Sequence, residues 1–255
     1  MSEDLKARLH QYYEQQKIAV RGFQCPNSLK CEEAAAPEPL TGRGSEAHVG
    51  SCYRDPFGIV VVSLDRGEGA EDVWSRSANI EHLPTDGSGL NAHMRGTLAT
   101  LRALLPPRYH ADIWSRFAMT NGAKCCYGNM DTVPEALFWA CSEFALQELI
   151  LLKPQVVVTQ GKNAREPLKL HESSLSRCAR FMAERYLSGH APPGLQSAVE
   201  WMIDKHLGEV DLDGTKCLWL RTPHPSDRAG RWHPFCYVFL PVLGGIIQAK
   251  LSPTR

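Results

Sequence analysis

GIVVVSLDRGEG, residues 58–69, decides how this chain folds. Ile59 to Val62 form an unbroken β-branched run, where a strand with one wet face would alternate apolar and polar residues. Such a run reads as a strand buried on both faces, as in a parallel sheet covered by helices. It ends in Asp65-Arg66-Gly67-Glu68-Gly69. Loops at the carboxyl ends of such strands are where open α/β sheets bind ligands.

The same pattern recurs along the chain. RFAMTN (116–121) predicts a second strand, QVVVTQG (155–161) a third, and TKCLWLRTPHP (215–225) a fourth. LNAHMRGTLATLRALL (90–105) has helical spacing and stops before Pro106 and Pro107. PEALFWACSEFALQELILL (134–152) opens on Pro134 and runs to the stop at Pro154. Residues 2–18 read as a polar helix, and 165–208 as an insert of two or three helices broken at GHAPPG. Residues 24–55, rich in Pro, Gly, Glu and Cys, read as a loop that needs a staple. Alternating helices and strands give an α/β fold: a three-layer α-β-α sandwich on a central, mainly parallel, four-stranded sheet. The chain is read as one domain, 1–255, with no internal repeat and no low-complexity tail.

Lys+Arg and Asp+Glu each total 28, so the net charge is zero and no global field draws the chain to nucleic acid. Any such contact needs a local basic patch. The opening MSEDLKARLHQYYEQQK has no apolar signal core, and no stretch reads as long enough to span a membrane. A reducing cytoplasm is the expected setting for the nine cysteines, where clusters hold metal or are plain core. Thiolates are soft ligands suited to zinc or an iron–sulfur cluster.

Asp65, Asn121 and His224 each stand at the carboxyl end of a predicted strand, and a parallel sheet brings those ends to one edge. Each has a plainer reading. Asp65 can cap a helix, Asn121-Gly122 is a common turn dipeptide, and a lone histidine is more often structural. Gly67-Glu68-Gly69 also resembles the start of a dinucleotide loop, but Asp72 stands where the third glycine belongs.

The segment TNGAKCCYGNMDTVPEALFWACSEFALQELILLKPQVVVTQG resembles the core of the iron–sulfur members of the uracil-DNA glycosylase superfamily. Thr120, Asn121, Lys124, Cys125, Asn129, Pro134, Glu135, Cys141 and Gly161 match in order, and His224-Pro225-Ser226 matches the family's H-P-S signature. The resemblance covers roughly residues 20–165 and 215–235. It implies a monofunctional DNA glycosylase that flips out uracil or a modified pyrimidine and leaves an abasic site, in DNA repair or in defence against phage DNA. Asp65 would orient water and stabilise the cationic sugar, and His224 would donate to the departing base. Asn121 would read the base edge, with Ser226 and Gly67 completing the substrate set. The implied cofactor is a four-iron cluster on Cys25, Cys31, Cys125 and Cys141, with zinc as the other occupant. Cys52 is the rival to Cys31, and Cys126 to Cys125. Cys178, Cys217 and Cys236 read as core. Arg221, Arg228 and Arg231 are the expected DNA contacts, with Arg228 or Trp232 as the wedge that fills the vacated stack. The partner is DNA, with no membrane, and the protein is expected to be monomeric. Two departures matter. Relatives carry G-E-A-P-G after the first strand, where this chain has Leu64 at the acidic position, and the aromatic residue that stacks on uracil is missing, Trp74 being the nearest. A changed acid and stacking partner fit a base other than uracil, or a silent reader of modified DNA.

Overall fold

The computed structural model describes residues 2–35, 40–64, 71–127, 134–173, 196–227 and 229–251. Helices α1 (Ser2–Gln15) and α2 (Ser28–Ala35) lead to strands β1 (Leu40–Gly44), β2 (His48–Val49) and β3 (Ile59–Ser63). Helices α3 (Val73–Glu81) and α4 (Ala92–Leu104) follow, then β4 (Phe117–Asn121), β5 (Cys125–Tyr127), α5 (Glu135–Leu152) and β6 (Val156–Gln160). The rest comprises β7 (Glu172–Ser173), α6 (Gln196–His206), β8 (Leu207–Leu212), β9 (Thr215–Thr222) and a continuous helix α7, Trp232–Leu251.

β3 is buried along its length, and its side chains divide between two cores. Ile59 and Val61 face one side, Val60 and Val62 the other. The first core is closed by Leu98 and Leu101 of α4, Met202 and Ile203 of α6, and Leu243 and Ile247 of α7. The second is closed by Leu5, Leu9 and Tyr13 of α1 and Phe144, Leu149 and Leu152 of α5. Helices on both faces explain why the strand needs no polar alternation.

The four expected strands pair in parallel, β4-β3-β6-β9. The sheet is wider than expected, with order β2-β4-β3-β6-β9-β8-β7 and antiparallel pairing at both margins. The expected helical insert is therefore corrected: it includes β7 and runs into β8, with 174–195 outside the described residues. Asp213-Gly214 was the missed signal, a two-residue hairpin turn with φ of 52° and 79°. The expected loop at 24–55 also contains structure, namely α2, β1 and β2. So does the tail. α7 spans 20 residues and is long and apolar enough to cross a membrane, which corrects the expectation that nothing reaches membrane length. Its Leu240, Leu243, Ile246 and Ile247 are buried in the first core.

His48 gives the fold a pH dependence. The ring is buried beside Phe117, with Nε2 3.1 Å from the Trp114 carbonyl, and burial pushes its pKa down to about 3. The unfolded chain takes up a proton below about pH 6.5 and the folded one does not until near 3. Stability is therefore full above that upper value and falls as pH drops through the window, by up to about 1.4 kcal/mol per pH unit. Denaturant titrations of His48→Gln between pH 6.5 and 4 should show a slope shallower by about one proton.

Candidate active site

At the carboxyl edge of the sheet Ser63 of β3 stands opposite Asn121 of β4, and Gln160 of β6 opposite Thr222 of β9. The chain leaves β3 toward α4 on one face and leaves β4 toward α5 on the other. A crevice outside the carboxyl ends of the strands is the usual ligand position in open α/β sheets. A cavity of about 250 Å³ lies there, lined by Ser63, Arg76, His93 and Asn121, with Met94 and Met119 as apolar wall. That is below the ~300–1,000 Å³ of pockets for drug-sized ligands, and of the right order for one heterocyclic base.

Asn121 is buried rather than exposed in a turn. Its Oδ1 accepts from Arg76 Nη2 at 3.0 Å, and its Nδ2 donates to Ser45 Oγ at 3.2 Å. These partners fix which way the amide faces. Among the described residues one N–H and one lone pair remain beyond those bonds. Arg76 comes from α3 and is itself held by Ser45 Oγ and the Glu46 carbonyl. Sequence reasoning missed Arg76, whose only local signal is the Asp72 cap of its helix.

His224 lies two residues past β9 and stacks on His93 with ring centroids 5.4 Å apart and planes 18° off parallel. The Ser226 backbone N–H donates to His224 Nδ1 at 3.2 Å. Nδ1 is therefore the unprotonated nitrogen, and Nε2–H is left as a donor. Burial pushes the His224 pKa down while Asp227 pulls it up, and the net direction is down. The loop sits close because two glycines admit it. A Cβ on Gly96 of α4 would lie 2.3 Å from Pro225 Cβ, and one on Gly161 would lie 3.3 Å from His224 Cβ.

His93 was also missed. Its Nε2 is 3.2 Å from Ser63 Oγ, and Ser63 Oγ is 3.4 Å from Gln160 Oε1. Burial drives its pKa to about 3, so the ring facing His224 is neutral. The usable signal was the Asn91 cap, which accepts from the Met94 N–H and starts α4 at the sheet edge.

The remaining expected residues divide. Asp65, Gly67, Asn129 and Arg228 lie outside the described residues. Ser226 is exposed and contributes its backbone N–H to His224. Arg221 is corrected as a free phosphate contact: it lies within β9, bonded to Glu172 at 2.5 Å and to the Asp204 and Leu207 carbonyls. Arg231 is exposed but forked on Asp227, so its charge is locally balanced. Trp232 is corrected from wedge to core, 8% exposed and packed in the first core. Trp74 stands edge-on to His10 and does not line the cavity, so it is not the stacking residue. Leu64 is half-buried against apolar neighbours.

On the second-core side of the sheet four thiols converge. Cys25 and Cys31 flank the start of α2, Cys125 opens β5, and Cys141 lies on α5. Asn27 Nδ2 ties α2 to α5 by donating to the Ala140 carbonyl at 2.7 Å. All four are buried. The nearness of Cys31 and Cys125 lowers the Cys31 pKa and raises that of Cys125. Cys141 is pushed up to about 12, by burial first and by the charges of Cys31 and Cys25. Cys31 rather than Cys52 joins this group. Among the described residues no set of three or more His, Cys, Asp or Glu stands in metal-holding geometry. The donor chemistry nonetheless fits a soft cation or cluster, because thiolates are soft ligands and thiols release their protons on metal binding. Cys217 is core as expected, its S–H donating to the Pro154 carbonyl at 2.9 Å, and Cys236 packs against the first core. Cys178 lies outside the described residues.

Beside the thiols, Lys124 and Glu148 form a buried ion pair that also takes in Thr120, and the Lys124 N–H donates to Cys141 Sγ at 3.3 Å. Burial lowers the Lys124 pKa against the pull of Glu148. Glu148→Leu should cost roughly 2–3 kcal/mol, at the low end for an orphaned buried charge because Lys124 can shed its proton. Adding Lys124→Met should restore most of that loss in denaturant unfolding.

Comparison of the chain with known protein families and with curated proteins found no match.

Proposed function

We propose that the protein is a monofunctional DNA glycosylase, a hydrolase of N-glycosyl bonds, similar to the iron–sulfur members of the uracil-DNA glycosylase superfamily. One observation carries this reading: an amide fixed in orientation lines a base-sized cavity together with His93, and an imidazole fixed in tautomer, His224, stacks on His93. The parallel strands β4-β3-β6-β9 form the sheet core that this family would require.

Excision begins when the target nucleotide leaves the stack and enters the cavity. Asn121 pairs with the base edge through its remaining N–H and lone pair. The bond between C1′ and the base nitrogen breaks, and its electrons leave with the base. His224 Nε2–H stabilises that developing charge, the kind of preorganised donor that dominates such steps. Asp65, which follows Leu64 beyond β3, would take the proton from the water that adds to C1′. The products are the free base and an abasic sugar. Cys25, Cys31, Cys125 and Cys141 would hold a four-iron cluster, or else zinc, that pins α2 and β5 to α5. Four protein ligands leave it no position for substrate, so its contribution is structural. The substrate is uracil or a modified pyrimidine in DNA, acted on by a monomer in a reducing cytoplasm without a membrane, for repair or against viral DNA.

Mass analysis of bases released from duplexes carrying uracil or modified pyrimidines tests this. Release of one free pyrimidine, with a matching alkali-labile site, is the expected result. DNA binding without release would favour the silent reader that Leu64 allows.

A further inference from the structure

Arg165 follows β6 in a short helical segment, Asn163–His171, at the same sheet edge as the cavity. Its guanidinium is half-buried, yet among the described residues it makes one long hydrogen bond, Nη2 to the Thr222 carbonyl at 3.5 Å. Its Nε is buried without a partner. The nearby carboxylate, Glu172, is bonded to Arg221 instead. Arg221 stands close enough to repel Arg165, so two cations share one anion. A guanidinium has five N–H donors, and desolvating it with most of them unused is unfavourable. Thr222 immediately precedes Pro223 and His224, so this underbonded cation lies at the root of the loop that carries the leaving-group donor.

We propose that Arg165 binds a phosphodiester of the DNA backbone beside the flipped nucleotide, which supplies the hydrogen-bonded anion that Arg165 lacks among the described residues. This rests on the glycosylase reading for the identity of the anion, and it replaces Arg221, whose charge Glu172 already engages. Fork-shaped guanidinium donors suit phosphate oxygens, and a group evolved for a ligand is not at its most stable without one.

The test combines DNA affinity with the stability of the free protein, in wild type, Arg165→Met and Arg165→Lys. The probe is a labelled duplex containing a stable abasic analogue, titrated across a salt series. Arg165→Met should weaken binding roughly five- to tenfold at ~0.1 M salt and reduce the salt slope by about 0.9, one phosphate's worth. Arg165→Lys should retain the slope. The Tm of unliganded Arg165→Met should be unchanged or higher, because an unpaired half-buried charge has been removed. Loss of Tm with unchanged affinity and slope would make Arg165 structural and overturn the proposal. So would a wild-type protein that does not bind the duplex. A wild type that releases no base, but whose affinity and slope still depend on Arg165, would sink the glycosylase reading and leave the phosphate site standing.

Discussion

The Cys141→Ala protein is expected to emerge without bound metal and largely insoluble. The reason lies in how little else holds the segment before β1. The small core beneath α2 consists of Cys31, Ala123, Leu137 and Phe138. Fixing each backbone residue costs roughly 1–2 kcal/mol, and one buried side chain from α2 does not offset an eight-residue helix. Structural metal sites of thiolate type contribute on the order of 10 kcal/mol or more to folding. Metal content and absorbance of purified protein provide the measurement. Wild type should be brown with iron near four per chain, the number in a four-iron cluster of about that stoichiometry. Cys217→Ala, a buried thiol outside the group, should keep its metal. Full metal content and unchanged solubility in Cys141→Ala would refute the ligand assignment, and a colourless zinc protein would refute iron.

The second large effect is on chemistry. His224→Ala should slow single-turnover excision by on the order of 10²–10³, about 2.7–4 kcal/mol, the scale for removing one preorganised transition-state donor. Affinity for the abasic duplex should stay close to that of wild type, because the Nε2–H bond matters most as charge develops on the base. His224→Gln, which returns an N–H near the same place, should recover part of the rate. An unchanged single-turnover rate in His224→Ala removes the imidazole from the mechanism.

Much of the site was legible because strand ends are local features. β3, β4, β6 and β9 each announced themselves by apolar runs bounded by Gly or Pro, and a parallel sheet gathers their ends without further information. Asn121, His224, Cys31 and Cys141 followed from that and from motif resemblance. β7 and β2 escaped because two-residue strands carry no periodicity, and β8 because the helical reading took its start, to 208, and left its hairpin signal at Asp213-Gly214 unassigned. Arg76 and His93 escaped for another reason. Each sits on a helix with ordinary amphipathic spacing, and nothing near it in the chain says that it faces a cavity.

The local order of residues thus determined the α/β class, the parallel core strands and the edge at which the strand-end polar residues gather, since these depend on neighbours a few positions apart. Tertiary structure alone decided which charges are already engaged and which polar groups meet. Arg221 is occupied by a carboxylate 49 positions away, and the Asn121 amide is oriented with the help of a hydroxyl 76 positions away. Hydrogen bonds and ion pairs require contact within a few ångströms, and over such separations only the packed sheet and helices bring the partners together.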